Sequence, residues 1–157
     1  MNTNFLKLLE LLKNNNVEFV IVGGLAAVAY GSSQMTQDID ICISLSPNNM
    51  KRLKEALKEI HPIHRIGNKN IPFNESGKDL YAFNNIYLTT DYGQIDCLGE
   101  ITGIGNFNDV INNSTNISID SMEYQILTLD ALIKAKSAIN RPKDREAVLI
   151  LKSIRDK

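Results

Sequence analysis

Val20-Ile21-Val22-Gly23-Gly24, followed after thirteen residues by Asp38-Ile39-Asp40-Ile41, is the part of this 157-residue chain that decides the reading of the rest. The β-branched, nearly continuous apolar run from Val17 to Val22 predicts an interior strand. The two glycines then turn the chain into an Ala-rich helix over Leu25 to Tyr30, which Gly31 ends. Asp38 to Ile43 alternates polar or small residues with isoleucine, the period of a second strand. Positions i and i+2 of a strand share a face, so Asp38 and Asp40 project together while Ile39, Ile41 and Ile43 project to the other side. Two neighbouring carboxylates repel, and each favours its neutral form unless a cation lies between them. A hard divalent ion such as Mg²⁺ meets that need with oxygen ligands, and it commonly keeps waters and substrate phosphates as well. Backbone N–H groups at the start of a helix have no intrahelical partner and can cradle phosphate, with glycine permitting close approach. Two plainer readings stay open at this point: a solvent-facing strand edge that carries two acids, and a simple strand-to-helix turn. The glycines are not a Walker loop, because no Gly-Lys-Ser/Thr follows, and the Rossmann glycine spacing is absent.

A third carboxylate extends the pattern. In Gly93-Gln94-Ile95-Asp96-Cys97, Asp96 alternates with apolar neighbours and belongs to the polar face of another strand. If that strand lies beside the Asp38–Asp40 strand, the three carboxylates form a triad able to hold two ions. Two metals about 3.5–4 Å apart can clamp the attacking and leaving oxygens of an in-line phosphoryl displacement.

Around these segments the pattern is mixed α/β. Phe5, Leu8, Leu9 and Leu12 predict an opening amphipathic helix that ends at Asn14 to Asn16. Ser46-Pro47 opens a third helix with Met50, Leu53, Leu57 and Ile60 along one side. Residues 61 to 80 read as irregular. Ile86 to Thr90 and Gln94 to Leu98 read as strands around a turn at Asp91-Tyr92-Gly93, and Asn116 to Ile119 as a further strand. Helices are expected over Thr128 to Ile139 and Lys143 to Ile154. The expectation is one domain over 1–157 with a helical C-terminal part at about 128–157.

Composition narrows the class. With 43% hydrophobic and 22% charged residues and a formal net charge of −1, the chain has the make-up of a globular domain, not of a broad basic nucleic-acid surface. A domain of this length can bury roughly 68–70% of its unfolded surface and needs no staple. Cys42 and Cys97 lie in strand-like runs and read as buried thiols. With no basic-then-apolar leader and no membrane-length apolar stretch, they lead to the expectation of a cytoplasmic protein. Between Asp79 and Ile133 there are eight acids and no Lys or Arg, whereas Lys134 to Lys157 holds eight basic residues and three acids. The first stretch suits a cation and the second suits phosphate, and solvated surfaces are the plainer explanation of both.

Gly-Gly, the short Ala-rich helix, Gly31-Ser32-Ser33, Thr36 and Asp38-Ile39-Asp40 together resemble the signature of the polymerase-beta-like nucleotidyltransferase superfamily. The likeness is greatest to its small prokaryotic members: minimal nucleotidyltransferases, AbiEii-type abortive-infection proteins, and aminoglycoside or lincosamide nucleotidyltransferases. The tail from Leu132-Ile133-Lys134 to Arg141-Pro142-Lys143-Asp144 resembles the end of such proteins. The resemblance implies the polymerase-beta-like fold, a short mixed sheet flanked by helices with C-terminal helices, and metal-dependent transfer of an NMP from an NTP to a hydroxyl with release of pyrophosphate. It implies Asp38, Asp40 and Asp96 as catalytic and metal-binding residues, with two Mg²⁺ ions that Mn²⁺ can replace. It implies Gly23, Gly24, Ser32, Ser33, Lys134, Arg141 and Lys143 as nucleotide-binding residues, with ATP as the expected NTP. The acceptor it leaves open is a protein, a small molecule or an RNA, nucleic acid entering only as an acceptor. Two alternatives come with it: an antitoxin-like protein that binds a toxin partner with little or no catalysis, and an antibiotic nucleotidyltransferase. One position departs from the pattern, since family members often carry Arg shortly before Thr-x-Asp-x-Asp, where this chain has Gln34 and therefore no guanidinium charge. Two weaker features remain. His61 and His64 have an H-x-x-H spacing without a third zinc ligand, and Tyr81, Phe83, Tyr87 and Tyr92 could stack on a base or pack in the core.

Overall fold

Leu8, Leu9 and Leu12 are fully buried and Phe5 nearly so, which seats helix α1 (Thr3–Asn14) on the core along the stripe its sequence predicts. The computed structural model describes residues 3–66, 69–73 and 84–157. Strand β1 (Phe19–Val22) is buried along its whole length and runs directly into helix α2 (Gly23–Ala29), whose first two residues are the glycines themselves. Strand β2 (Asp38–Ile43) returns antiparallel to β1, with Val22 opposite Asp40. Helix α3 (Pro47–Leu57) starts where Ser46 accepts a hydrogen bond from the Asn49 amide, and it packs on α1.

Strands β3 (Ile63–Ile66), β4 (Lys69–Pro72), β5 (Asn85–Thr90) and β6 (Gly93–Leu98) extend one side of the sheet. A small hairpin, β7 (Glu100–Ile101) and β8 (Gly105–Asn106), leads to helix α4 (Phe107–Asn112), which an Asn106–Asp109 capping box opens. Strands β9 (Ser114–Ile119) and β10 (Met122–Leu127) close the other side, and helices α5 (Leu129–Ile139) and α6 (Pro142–Arg155) follow. Among the described residues, eight strands form one mixed sheet in the order β4-β3-β5-β6-β2-β1-β10-β9. The pairs β2–β6 and β1–β10 are parallel and the other pairs are antiparallel.

The expected α/β architecture with C-terminal helices is found, with more sheet than expected. Residues 63–66 and 69–72, within the stretch read as irregular, are strands. Their alternation is hidden because polar residues occupy inward positions: His64 is 2% exposed and edge-on to Phe73, and Arg65 is half-buried. Pro72 ends β4, the outermost strand of that side, where a missing N–H costs no ladder bond. Strand β10 was not anticipated either. The Asp120-Ser121 turn before it has φ of 53° and 69°, the left-handed pair of a tight hairpin, built here without the usual glycine. Cys42 and Cys97 are buried free thiols, and no helix among the described residues is long and apolar enough to cross a membrane.

One buried side chain ties helix to sheet. Asn49 is fully buried; its amide donates to the Glu18 carbonyl at 3.0 Å and the Ser44 carbonyl at 2.7 Å, and its oxygen accepts from the Glu18 amide at 2.6 Å. Glu18 precedes β1 and Ser44 follows β2, so Asn49 continues the strand ladder one step and fixes α3 to its end. Asn49→Ala removes a fully buried side chain's three hydrogen bonds and leaves the Glu18 amide and the Ser44 carbonyl without this partner, and the expected loss is about 2–4 kcal/mol. Urea unfolding should show a lower midpoint with an unchanged slope, and an unchanged midpoint would refute the role given to this side chain.

Candidate active site

The register of two parallel strands brings the acids together. Asp40 on β2 is directly opposite Asp96 on β6, and Asp38 is opposite Gln94. Directly paired residues share a sheet face, so Asp38, Asp40 and Asp96 form one cluster while Ile39, Ile41 and Ile95 are fully buried on the other side. Burial first, and then the charge of Asp96, push the Asp40 carboxyl up to about 6, against the opposing pull of the Gly24 amide.

The glycines are shaped around Asp40. Gly23 has φ +63°, and a Cβ there would come within 2.9 Å of the Asp40 Cβ and closer still to its carboxylate oxygen. The Gly24 amide donates to Asp40 Oδ2 at 3.4 Å, and a Cβ on Gly24 would meet Thr36 Oγ1 at 2.8 Å. Thr36 is held in turn by its hydroxyl, which donates to the Asp38 carbonyl at 2.9 Å. A side chain at position 23 would therefore displace Asp40, and one at position 24 would displace Thr36.

A cation already stands among the acids. Arg65 of β3 donates through Nη2 to Asp96 Oδ1 and through Nη1 to Gln94 Oε1 at 2.8 Å, and Nη1 is 3.8 Å from Asp38 Oδ2. Its guanidinium carbon lies 5.9 Å from the centre of the Tyr87 ring. His64 is opposite Leu88 and Tyr87 is opposite Asp96, so continuing that register runs Arg65, Tyr87, Asp96 and Asp40 across four adjacent strands. Sequence reasoning missed Arg65, because the order of the strands, which no local pattern reveals, is what brings it here.

The acids open onto a cleft of about 890 Å³ between the sheet and helices α2, α5 and α6. Gly23, Gly24, Asp38, Asp40, Asp96, Arg141 and Lys143 line it, together with Gln34 and Thr36. Lys134 is exposed and does not line it; Lys136 does, half-buried, with its pKa lowered by burial and supported by Asp144 and Asp40. The helical period accounts for the difference: Leu132, Ala135, Lys136 and Ile139 form the stripe that faces the cleft, and Lys134 is off it. Ser32 and Ser33 are also outside the lining; Ser33 is exposed, and Ser32 Oγ accepts from the Gln34 amide at 3.2 Å. The Arg141 guanidinium donates to the buried Asp144 at 2.6 Å and holds that carboxyl below the usual range.

No group of three or more His, Cys, Asp or Glu side chains among the described residues is arranged to hold a metal ion as it stands. At the acid cluster the gap between Asp96 and Asp38 is bridged by Arg65. The donor set still suits a hard divalent ion. It offers carboxylate oxygens only, and burial together with the charge of Asp96 raises the Asp40 pKa, which a nearby cation would lower. Asp38 and Asp40 are the pair that would hold such an ion. The histidines diverge: His61 is exposed and contacts Asp91 at 2.6 Å, while His64 is buried against Phe73. Tyr87 lines the cleft, the Lys7 ammonium lies over the Tyr92 ring, and Tyr81 and Phe83 are outside the described residues.

No protein-family model matches the chain, and no curated protein matches its sequence. Solved structures do match over nearly the whole length. A lincosamide antibiotic adenylyltransferase, LnuA, in a lincomycin-bound crystal structure is 17% identical with a TM-score of 0.68, and the match covers 98% of each chain. The crystal structure of ANT(2″)-Ia in complex with adenylyl-2″-tobramycin is 14% identical with a TM-score of 0.60, covering 96% of this chain and 87% of that one. An antigenic nucleotidyltransferase-like protein from Paracoccidioides brasiliensis is 12% identical with a TM-score of 0.57, covering 96% of this chain and 74% of that one.

The raised Asp40 pKa makes a stability prediction. Between about pH 4 and pH 6 the folded chain binds more protons at Asp40 than the unfolded chain, so this group makes stability fall as pH rises through that window. Asp40→Asn removes the charge and keeps an acceptor for Gly24. In metal-free buffer at pH 7.5 it should be about 1–3 kcal/mol more stable than the wild type, the gap closing towards pH 4. Thermal unfolding across pH 4 to 8 measures this; a variant less stable at pH 7.5 would contradict the electrostatic account.

Proposed function

We propose that this chain, which has the nucleotidyltransferase fold, is a metal-dependent nucleotidyltransferase that moves an NMP, with ATP as donor, onto a hydroxyl of a small-molecule acceptor. The observation that carries the reading is the direct register of Asp40 with Asp96, two residues on from Asp38, beside a diglycine shaped to the Asp40 carboxylate. Lys136 of α5, Arg141 of the turn after it and Lys143 of α6 line the same cleft as this cluster, with Asp144 paired to Arg141. A triphosphate fits there, its charge met by Lys136, Arg141 and Lys143.

In this reading Asp38 and Asp40 hold a divalent ion, which when bound neutralises the triphosphate and orients it. Lys136 holds phosphate oxygens from α5, and its burial strengthens that contact. Asp96, with Asn85, Tyr87 and Glu100 nearby on the cleft lining, faces the acceptor side and takes the proton of the acceptor hydroxyl. The acceptor oxygen forms a bond to the α-phosphorus, the α–β bridging bond breaks, and pyrophosphate leaves. The chain contributes position and fixed charge, the main sources of rate in this chemistry.

A small-molecule acceptor is favoured over a protein or RNA end for two reasons. The cleft volume is within the roughly 300–1,000 Å³ of small-molecule sites, and the structural neighbours include antibiotic adenylyltransferases, one bound to lincomycin and one to an adenylylated tobramycin. The antitoxin alternative draws no support from these neighbours. Incubation with α-labelled ATP, Mg²⁺ and a panel of hydroxylated small molecules tests the reading. Label should move to a small molecule in the wild type and to nothing in Asp40→Asn; retained transfer by that variant at the same Mg²⁺ would refute it. The same assay separates the lysines. Lys136→Met should weaken apparent ATP affinity at least tenfold, while Lys134→Met stays within twofold of wild type.

A further inference from the structure

Arg65 is placed as a fixture. Asp96 and Gln94 accept from its two terminal nitrogens, its Nε is buried, the Tyr87 ring lies beneath its guanidinium, and β3 is paired on both sides by β4 and β5. A fork anchored at both tines in a half-buried site is strongly oriented, and taking it away would leave Asp96 and Gln94 without their partner. The guanidinium spans the gap from Asp96 to Asp38, which is where an ion bridging those two carboxylates would sit. Charge balance agrees. Arg65 neutralises one of the three carboxylates, and one divalent ion neutralises the other two. Among the described residues no hydrogen bond or ion pair joins Asp40 to Arg65, and Asp40 instead accepts from the Gly24 amide.

We propose that Arg65 is a built-in cation that permanently fills one of the two ion positions of the carboxylate cluster, so that the chain takes up a single divalent ion, on Asp38 and Asp40. The proposal rests on the nucleotidyl-transfer reading and departs from the two ions that the sequence resemblance implies. Arg65 then does by fixed geometry what the second ion does elsewhere: it holds Asp96 in place and offsets its charge beside the acceptor.

Mn²⁺ is the probe, read by electron paramagnetic resonance on the full chain with saturating α,β-methylene-ATP. Wild type should bind one Mn²⁺ per chain and give the six-line spectrum of an isolated ion. Arg65→Met keeps the stem over Tyr87 and removes the charge, and it should bind two ions with the exchange-coupled spectrum of a close pair. A coupled pair in the wild type overturns the proposal while leaving nucleotidyl transfer standing. One isolated ion in both proteins also overturns it, because the guanidinium would then not be what excludes the second ion. No protein-bound Mn²⁺ in either protein overturns it together with the transfer reading. Should Arg65→Met fail to fold by circular dichroism, the wild-type spectrum decides alone.

Discussion

Parallel pairing of β2 with β6 forces Asp40 and Asp96 side by side, and most of the cleft is organised around the resulting repulsion. Two acids on adjacent strands, one of them largely buried, are unfavourable without compensation. The chain supplies three kinds: a proton on Asp40 at mildly acidic pH, the Gly24 amide, and the Arg65 guanidinium. Each is partial. In the proposed reading, the remaining demand for positive charge is what a divalent ion, and through it phosphate, would meet.

The helical wall answers the same demand from the other side. Tyr30 at the end of α2 donates its hydroxyl to the Leu127 carbonyl at 2.6 Å, immediately before Thr128 caps α5. The end of the diglycine helix and the beginning of the lysine-bearing helix are thus locked together. Asn140, in the left-handed conformation, ends α5, and Arg141 caps the start of α6, so the turn between these helices sets basic groups in the cleft lining.

What could be read from the sequence follows the range of each signal. β1, the diglycine and β2 are legible because burial, turn and alternation are all local, and Asp96 is legible because its neighbours alternate. The placing of Asp38 and Asp40 on one face follows from period alone. Lys136 was within reach: the stripe through Leu132 and Ile139 passes over it, whereas the family-like spacing pointed to Lys134, which faces solvent. Arg65 was out of reach, because β3 has no hydrophobic alternation and its partner is two strands away in a non-sequential order. Asn49 was out of reach for a related reason, since its partners are thirty-one and five residues back along the chain. Ser32 and Ser33 belong to a loop motif that the resemblance implicates, and they lie outside the cleft lining, Ser32 engaged by the Gln34 amide and Ser33 exposed.

Gly23 and Asp40 occupy complementary volume: what the first residue lacks, the second fills. A side chain at position 23 would have to displace the Asp40 carboxylate as well as take up a left-handed backbone, so a change at one position makes itself felt at the other.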